Sequence, residues 1–79
     1  MRQFITTTDQ IGQILRSARR AAGLSQAQAG IRLGLSQNRL SELEQGAARI
    51  TVAQLLAMTA LYNLQIEVTS RGPQPQTAW

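Results

Sequence analysis

The sequence predicts an all-α fold: a compact bundle of four to five short helices, followed by one short C-terminal strand. Three observations carry this. A Ser or Thr followed three residues later by Gln recurs at Thr7/Gln10, Ser25/Gln28 and Thr51/Gln54, and such reciprocal pairs start helices. Apolar residues after these starts return at three- and four-residue steps, the period of one buried helix face. Gly23, Gly34 and Gly46 then fall where the apolar runs end. At 79 residues the chain holds one domain with a small core. Residues 1–70 are its expected extent, and 71–79, rich in Pro and Gln, an expected flexible tail.

Each element follows from local sequence. Residues 1–6 read as a short arm in which Phe4 and Ile5 are apolar enough to pack on something. From Thr7 onward Ile11, Ile14, Leu15, Ala18 and Ala22 form one stripe, with Arg16, Arg19 and Arg20 mostly off it. Ser25 opens a second helix with Ala29 and Leu33 inward, stopped at Gly34. Leu35 is the apolar residue of the turn, Ser36 caps a third helix, and Leu40 and Leu43 carry its buried face. Residues 46–50 form a loop. The helix from Val52 to about Leu61 is apolar nearly all round, and Leu55, Leu56, Met58, Leu61 and Tyr62 exceed what one small core can face. That surplus predicts burial against a second copy, with Met58 and Tyr62 in the dimer core.

At Leu64 the period changes to two. Leu64, Ile66 and Val68 alternate with Gln65, Glu67 and Thr69, the pattern of a half-buried strand. A lone strand leaves its backbone groups unpaired. The expected partner is the same strand of a second subunit, with the arm around Gln3–Ile5 as the alternative. Leu64, Ile66, Val68 and Tyr62 are the expected dimer contacts.

Composition narrows the chemistry. The net charge is +4 and the pI about 11.5. All eight basic residues are Arg, whose forked guanidinium suits phosphates and base edges. There is no Cys and no His, which removes disulfides, zinc sites and His-based acid–base chemistry within the chain. Asp9, Glu42, Glu44 and Glu67 are the only side-chain carboxylates and are scattered. No catalytic constellation results, so the chain reads as a non-enzyme without cofactor or metal. No signal-peptide run and no stretch near the ~20 apolar residues of a membrane span is present, and a cytoplasmic protein is expected.

The run QAQAGIRLGLSQNRLSELE, Gln26 to Glu44, reads as a helix-turn-helix, a unit that sets a helix in the DNA major groove. Gly30 sits where the two helices approach and Gly34 at the turn. An ordinary helical hairpin would use the same glycines, but Gln37, Asn38, Ser41 and Glu42 put a polar outer face near the third helix's start. Gln26 and Gln37 lie in first turns, whose free N–H groups hold phosphate.

Those residues carry a resemblance. Leu15-Arg16-x-x-Arg19, Gly23-Leu24-Ser25-Gln26, Gly34-Leu35-Ser36-Gln37 and Glu44-x-Gly46 resemble the lambda-repressor/Cro-type helix-turn-helix family over residues 11 to about 63. Ala29-Gly30 departs from that family's usual Leu-Ala, which removes core volume and predicts softer packing. Within the family the chain is most similar to HipB-type antitoxins, partners of HipA-type Ser/Thr kinase toxins. The similarity rests on the arm, the strand LQIEVTS and the tail ending in Trp79.

The resemblance implies roles. Gln37, Asn38 and Ser41 match base-reading positions, and Gln and Asn suit bidentate contact with adenine. Arg39 is implied at a guanine or a phosphate. Glu42 either accepts from cytosine N4 or faces solvent. Gln26 and Ser36 match phosphate-clamping positions, and Arg49 in the following loop would meet the backbone or minor groove. Arg19 and Glu44 match a structural ion pair. Arg16 and Arg20 read as solvated surface, and Trp79 as an unstructured end or an anchor on a partner. The implied function is a homodimeric repressor on double-stranded inverted-repeat DNA that also holds a HipA-like kinase toxin and represses its own operon. The alternative is a stand-alone dimeric repressor.

Overall fold

All three Thr/Ser–Gln pairs close into reciprocal capping boxes. In the computed structural model, which describes residues 2–72, Thr7, Ser25 and Thr51 each accept from the backbone N–H of the Gln three residues on. Each of these Gln side chains accepts from the backbone N–H of its capping residue. They start α1 (Thr8–Ala21), α2 (Gln26–Leu33) and α4 (Val52–Leu61). The start of α3 (Gln37–Gln45) is different. Ser36 Oγ accepts from Arg39 N–H at 3.0 Å, but the third residue is Arg and cannot reciprocate.

Three of the four helices, α1, α2 and α4, end at left-handed residues. Gly23 (φ +74°) and Gly34 (φ +68°) follow α1 and α2. Leu24 N–H reaches back to Arg19 O at 3.2 Å and Leu35 N–H to Gly30 O at 2.9 Å, satisfying carbonyls that the helices leave open. After α4 Asn63 takes the same role at φ +59°, one of the few non-glycine residues tolerated there.

The helices enclose one core of Leu15, Ala29, Leu40, Leu43, Met58 and Tyr62, with Ile11, Leu24, Leu33, Ile50, Leu55 and Leu61 packed around it. Two close crossings set the geometry. A Cβ on Gly12 would lie 2.9 Å from the carbonyl oxygens of Leu43 and Glu44, so α1 rests directly on the backbone of α3. A Cβ on Gly30 would lie 2.6 Å from Leu35 O, so α2 rests on the turn it leads into. Packing at Gly30 is tight. Ala47, in the loop, is also buried, its N–H donating to Thr8 O at 3.3 Å.

Two residues of α4 and its end, expected at a dimer contact, belong to the core of the single chain. Met58 and Tyr62, placed in a dimer core, are 0% and 4% exposed within the single chain. The core needed them because α1, α2 and α3 contribute few large side chains: the fully buried ones are only Leu15, Leu40 and Leu43 beside Met58. The surplus apolar surface of α4 is instead Val52 and Leu56, 73% and 54% exposed.

No strand occurs among the described residues. A strand whose ladder lies across a two-fold axis has nothing to pair with in one chain, so the expected pairing is neither met nor opposed. Leu64 is half-buried against the core, while Ile66 and Val68 are exposed. The arm lies alongside: Arg2 to Ile5, Leu64 to Glu67 and Thr69 line a common groove of about 500 Å³ floored by Ile11, Ile14, Leu15, Leu55 and Thr59. Arg2 Nε stands 3.6 Å from Glu67 Oε2, both largely in solvent. Trp79 lies outside the described residues.

Candidate nucleic-acid interface

The site is built on α3, whose inner face is committed to the core through Leu40 and Leu43. That commitment fixes which residues face out. Gln37 and Asn38 are exposed at its first turn, and neither side chain has a hydrogen bond among the described residues. Ser41 is half-exposed one turn on, and Glu42 is exposed beside it.

Beneath this face lies a buried ionic knot joining three helices. Arg19 of α1 donates from Nε to Glu44 Oε2 at 2.6 Å and from Nη2 to Glu44 Oε1 at 3.1 Å. Its third donor, Nη1, meets Leu24 O at 2.7 Å. Both side chains are nearly closed to solvent, at 8% and 2% exposure. The hydrogen bonds to Glu44 raise the Arg19 pKa above its ordinary value against the opposing effect of burial. Glu44 Oε1 also accepts from Gln26 Nε2 at 3.2 Å. The carboxylate therefore orients Gln26 at the first position of α2, leaving the amide a second N–H for another acceptor.

Tyr62 lies within electrostatic reach of this knot. Its hydroxyl is buried and has no hydrogen-bond partner among the described residues. Burial pushes its pKa above 10.0; the Glu44 charge adds to this and the Arg19 charge opposes it.

Above the knot is an open polar cleft of about 480 Å³ between α1 and α3, whose walls include Gln13, Arg16, Arg20, Gln26, Ser41 and Gln45. Arg16 and Arg20, read from sequence as plain surface, stand at its edge beside Ser41. Neither has an ion-pair partner among the described residues. The signal was available: positions 13, 16 and 20 share one helix edge by their three- and four-residue spacing. Which wall of the domain that edge meets could be known only from the crossing at Gly12.

The other implied residues are placed as follows. Ser36 spends its oxygen on Arg39 N–H yet keeps its hydroxyl proton as a donor. Arg49 is exposed in the α3–α4 loop. Arg39, implied as a base or phosphate contact, is turned along the protein. Its Nη2 donates to Arg49 O at 3.0 Å and its Nη1 stands 3.5 Å from Glu42 Oε2. No group of acidic residues that could hold a metal ion occurs among the described residues. No helix among them is long and apolar enough to cross a membrane.

A polar-faced third helix, a preceding helix capped beside it and a tight glycine turn between them form the unit anticipated from Gln26–Glu44. A family model described as a helix-turn-helix domain matches residues 10–71. The chain belongs to the helix-turn-helix domain family. Its fold is also that of helix-turn-helix chains in several solved structures. A search of curated proteins found no match. Among solved structures, the helix-turn-helix chain is similar to one in a HipA–HipB–O2–O3 complex. The TM-score is 0.77 at 17% identity, over 90% of this chain and 100% of that one. A HipB variant in a complex with an O2 20mer gives 0.78 at 18% identity, over 91% and 100%. A mutant of the restriction-modification controller protein C.Esp1396I gives 0.67 at 16% identity, over 73% and 77%. At these identities the likeness is one of fold.

Proposed function

We propose that this helix-turn-helix chain is a sequence-specific DNA-binding transcriptional repressor that acts as a homodimer. In our reading it is the antitoxin of a type II toxin–antitoxin pair, binding a HipA-like Ser/Thr kinase toxin and repressing its own operon in the cytoplasm. The observation that carries DNA binding is the outer face of α3. Gln37 and Asn38 project into solvent there with no partner among the described residues, on the helix whose next turn lines a cleft with Arg16 and Arg20. Such a face offers amide groups to base edges and guanidinium groups to phosphates at once.

Dimerisation is supported by the apolar side chains left in solvent on one chain: Phe4, Ile5, Val52, Leu56, Ile66 and Val68. In the dimer the strands 64–70 flank the two-fold axis. The two α3 helices then meet half-sites of an inverted repeat one turn, ~34 Å, or a multiple of it apart. The antitoxin role is supported by likeness in form to HipB, including the chain found with HipA, and by the arm and C-terminal segment outside the bundle. Trp79 is the candidate anchor on the toxin.

Purification of the chain with its bound partners from its native host, with footprinting of the DNA upstream of its own reading frame, tests both parts. A protected inverted repeat and a co-purifying kinase-like protein are expected. Protection without such a partner, together with a neighbouring frame that encodes none, selects the stand-alone repressor. That second reading is favoured by the likeness to a controller protein of a restriction-modification system. No protection at any salt concentration refutes the DNA-binding assignment.

A further inference from the structure

We infer that Arg39 is a positioning residue which holds the α3–α4 loop against the recognition helix and thereby sets Arg49 at the DNA backbone; the inference rests on the DNA-binding reading above. The loop from Gly46 to Ile50 is tied down at four points, the first being Gly46 N–H on Glu42 O at 3.1 Å. Ala47 N–H donates to Thr8 O at 3.3 Å, Ile50 N–H closes a turn on Ala47 O at 3.2 Å, and Arg39 Nη2 donates to Arg49 O at 3.0 Å. The three backbone bonds close the loop's base, where Ala47 and Ile50 also pack into the domain. Among the described residues only the bond from Arg39 reaches its far side, and it acts on the residue whose side chain is the loop's exposed cation.

The fork of Arg39 is suited to this. One arm meets the Arg49 carbonyl, and the other stands 3.5 Å from Glu42 Oε2 one helical turn along α3. The bond to the carbonyl orients the guanidinium, whose planar donors cannot rotate independently, and the Glu42 carboxylate lies on the side of its other arm. The side chain is 30% exposed against 68% for Glu42, so it lies along the protein while Glu42 stands in water. A base-reading Arg would have to abandon both contacts. Held as it is, Arg39 instead gives the loop a fixed offset from Gln37 and Asn38. Arg49 then meets a phosphate in register with the bases those residues reach.

The test compares Arg39→Ala, Arg39→Lys, Arg49→Ala and the Arg39→Ala/Arg49→Ala double variant in the full chain. Backbone order parameters of Ala47 to Ile50 in the free protein read the tether without DNA. Both Arg39 variants should loosen this loop while α1 to α4 stay ordered, because Lys keeps the charge but lacks the fork. Unchanged loop order in the Lys variant overturns the inference. Binding to a duplex of the upstream sequence, measured over a range of salt, reads the consequence. Arg49→Ala should weaken binding to every sequence and reduce the salt slope by about one. In the Arg39→Ala background it should add little. Additive losses overturn the inference, as does relaxed preference at one base pair on Arg39→Ala alone, which would make Arg39 a reader. If the unaltered chain binds no duplex, the DNA reading and Arg49's part in it fail together, and loop order still decides whether Arg39 is the tether.

Discussion

Arg19 and Glu44, twenty-five residues apart, share two hydrogen bonds of 2.6 and 3.1 Å in a setting from which water is nearly excluded. The pair fastens α1 to the end of α3 and, through Gln26, to the start of α2. Removing either partner strands the other charge. Arg19→Ala and Glu44→Ala should each cost roughly 3–5 kcal/mol in urea unfolding. Replacing both together with Met and Leu should recover most of that loss, because no charge is then left buried alone. A single variant as stable as the parent would show that water reaches the knot.

The glycine crossings make a second prediction. Alanine normally favours a helix over glycine. At Gly12 and Gly30 the added Cβ would meet backbone oxygens at 2.9 and 2.6 Å, and backbone cannot move aside cheaply. Gly12→Ala and Gly30→Ala should therefore destabilise, each by about 1–3 kcal/mol, as overpacked sites do. Thermal unfolding of the two variants measures this, and a raised melting temperature in either would refute the crossing geometry.

Stability against pH should follow from an unusual inventory. With no His, Cys or Lys, no side chain ordinarily titrates between the carboxylates and Tyr62. The Tyr62 pKa is raised on folding, so the folded chain holds its proton more tightly than the unfolded chain does. The stabilisation is complete below the unfolded value near 10 and is lost as pH rises through the folded value. Urea midpoints should be flat from about pH 5 to 9 and fall above about pH 10. Tyr62→Phe should lessen the alkaline fall. At neutral pH it should cost little or stabilise, since the hydroxyl it removes is buried without a partner among the described residues.

On DNA, the two kinds of contact should separate. Gln37→Ala or Asn38→Ala should lose about 1–3 kcal/mol on the operator and relax preference at one base pair in each half-site. Arg16→Ala or Arg20→Ala should weaken all sequences alike and lower the salt slope by about one. Competition titrations with the operator and a scrambled duplex distinguish these outcomes. Intact discrimination in both α3 variants would place base reading elsewhere.

The assembly prediction concerns Ile66 and Val68, 46% and 86% exposed in the single chain. Ile66→Arg or Val68→Arg should leave the helical bundle's circular dichroism unchanged and shift sedimentation equilibrium toward monomer. Operator affinity should fall with it, because two half-sites are no longer held together. A dimer of undiminished strength would move the interface to Val52 and Leu56 on α4.

What was legible in the sequence was local. Thr7, Ser25 and Thr51 with their Gln partners, and Gly23 and Gly34 at positive φ, act within one turn of chain, so their residue types alone mark where helices start and stop. Those punctuation marks, with Leu40 and Leu43 fixing the inner face of α3, were enough to name Gln37 and Asn38 as outward-facing. The sequence by itself thus determined the helices, their order and the polar outer face of α3. Only the tertiary structure decided which apolar residues one chain uses up and which side chains meet. It drew Met58 and Tyr62 into the core and left Val52 and Leu56 in solvent. It brought Arg16 and Arg20 to the cleft and turned Arg39 toward Arg49. The reason is physical: capping depends on neighbours three or four residues away, whereas burial and cross-helix contact depend on how closely helices approach, here set by the missing Cβ atoms of Gly12 and Gly30.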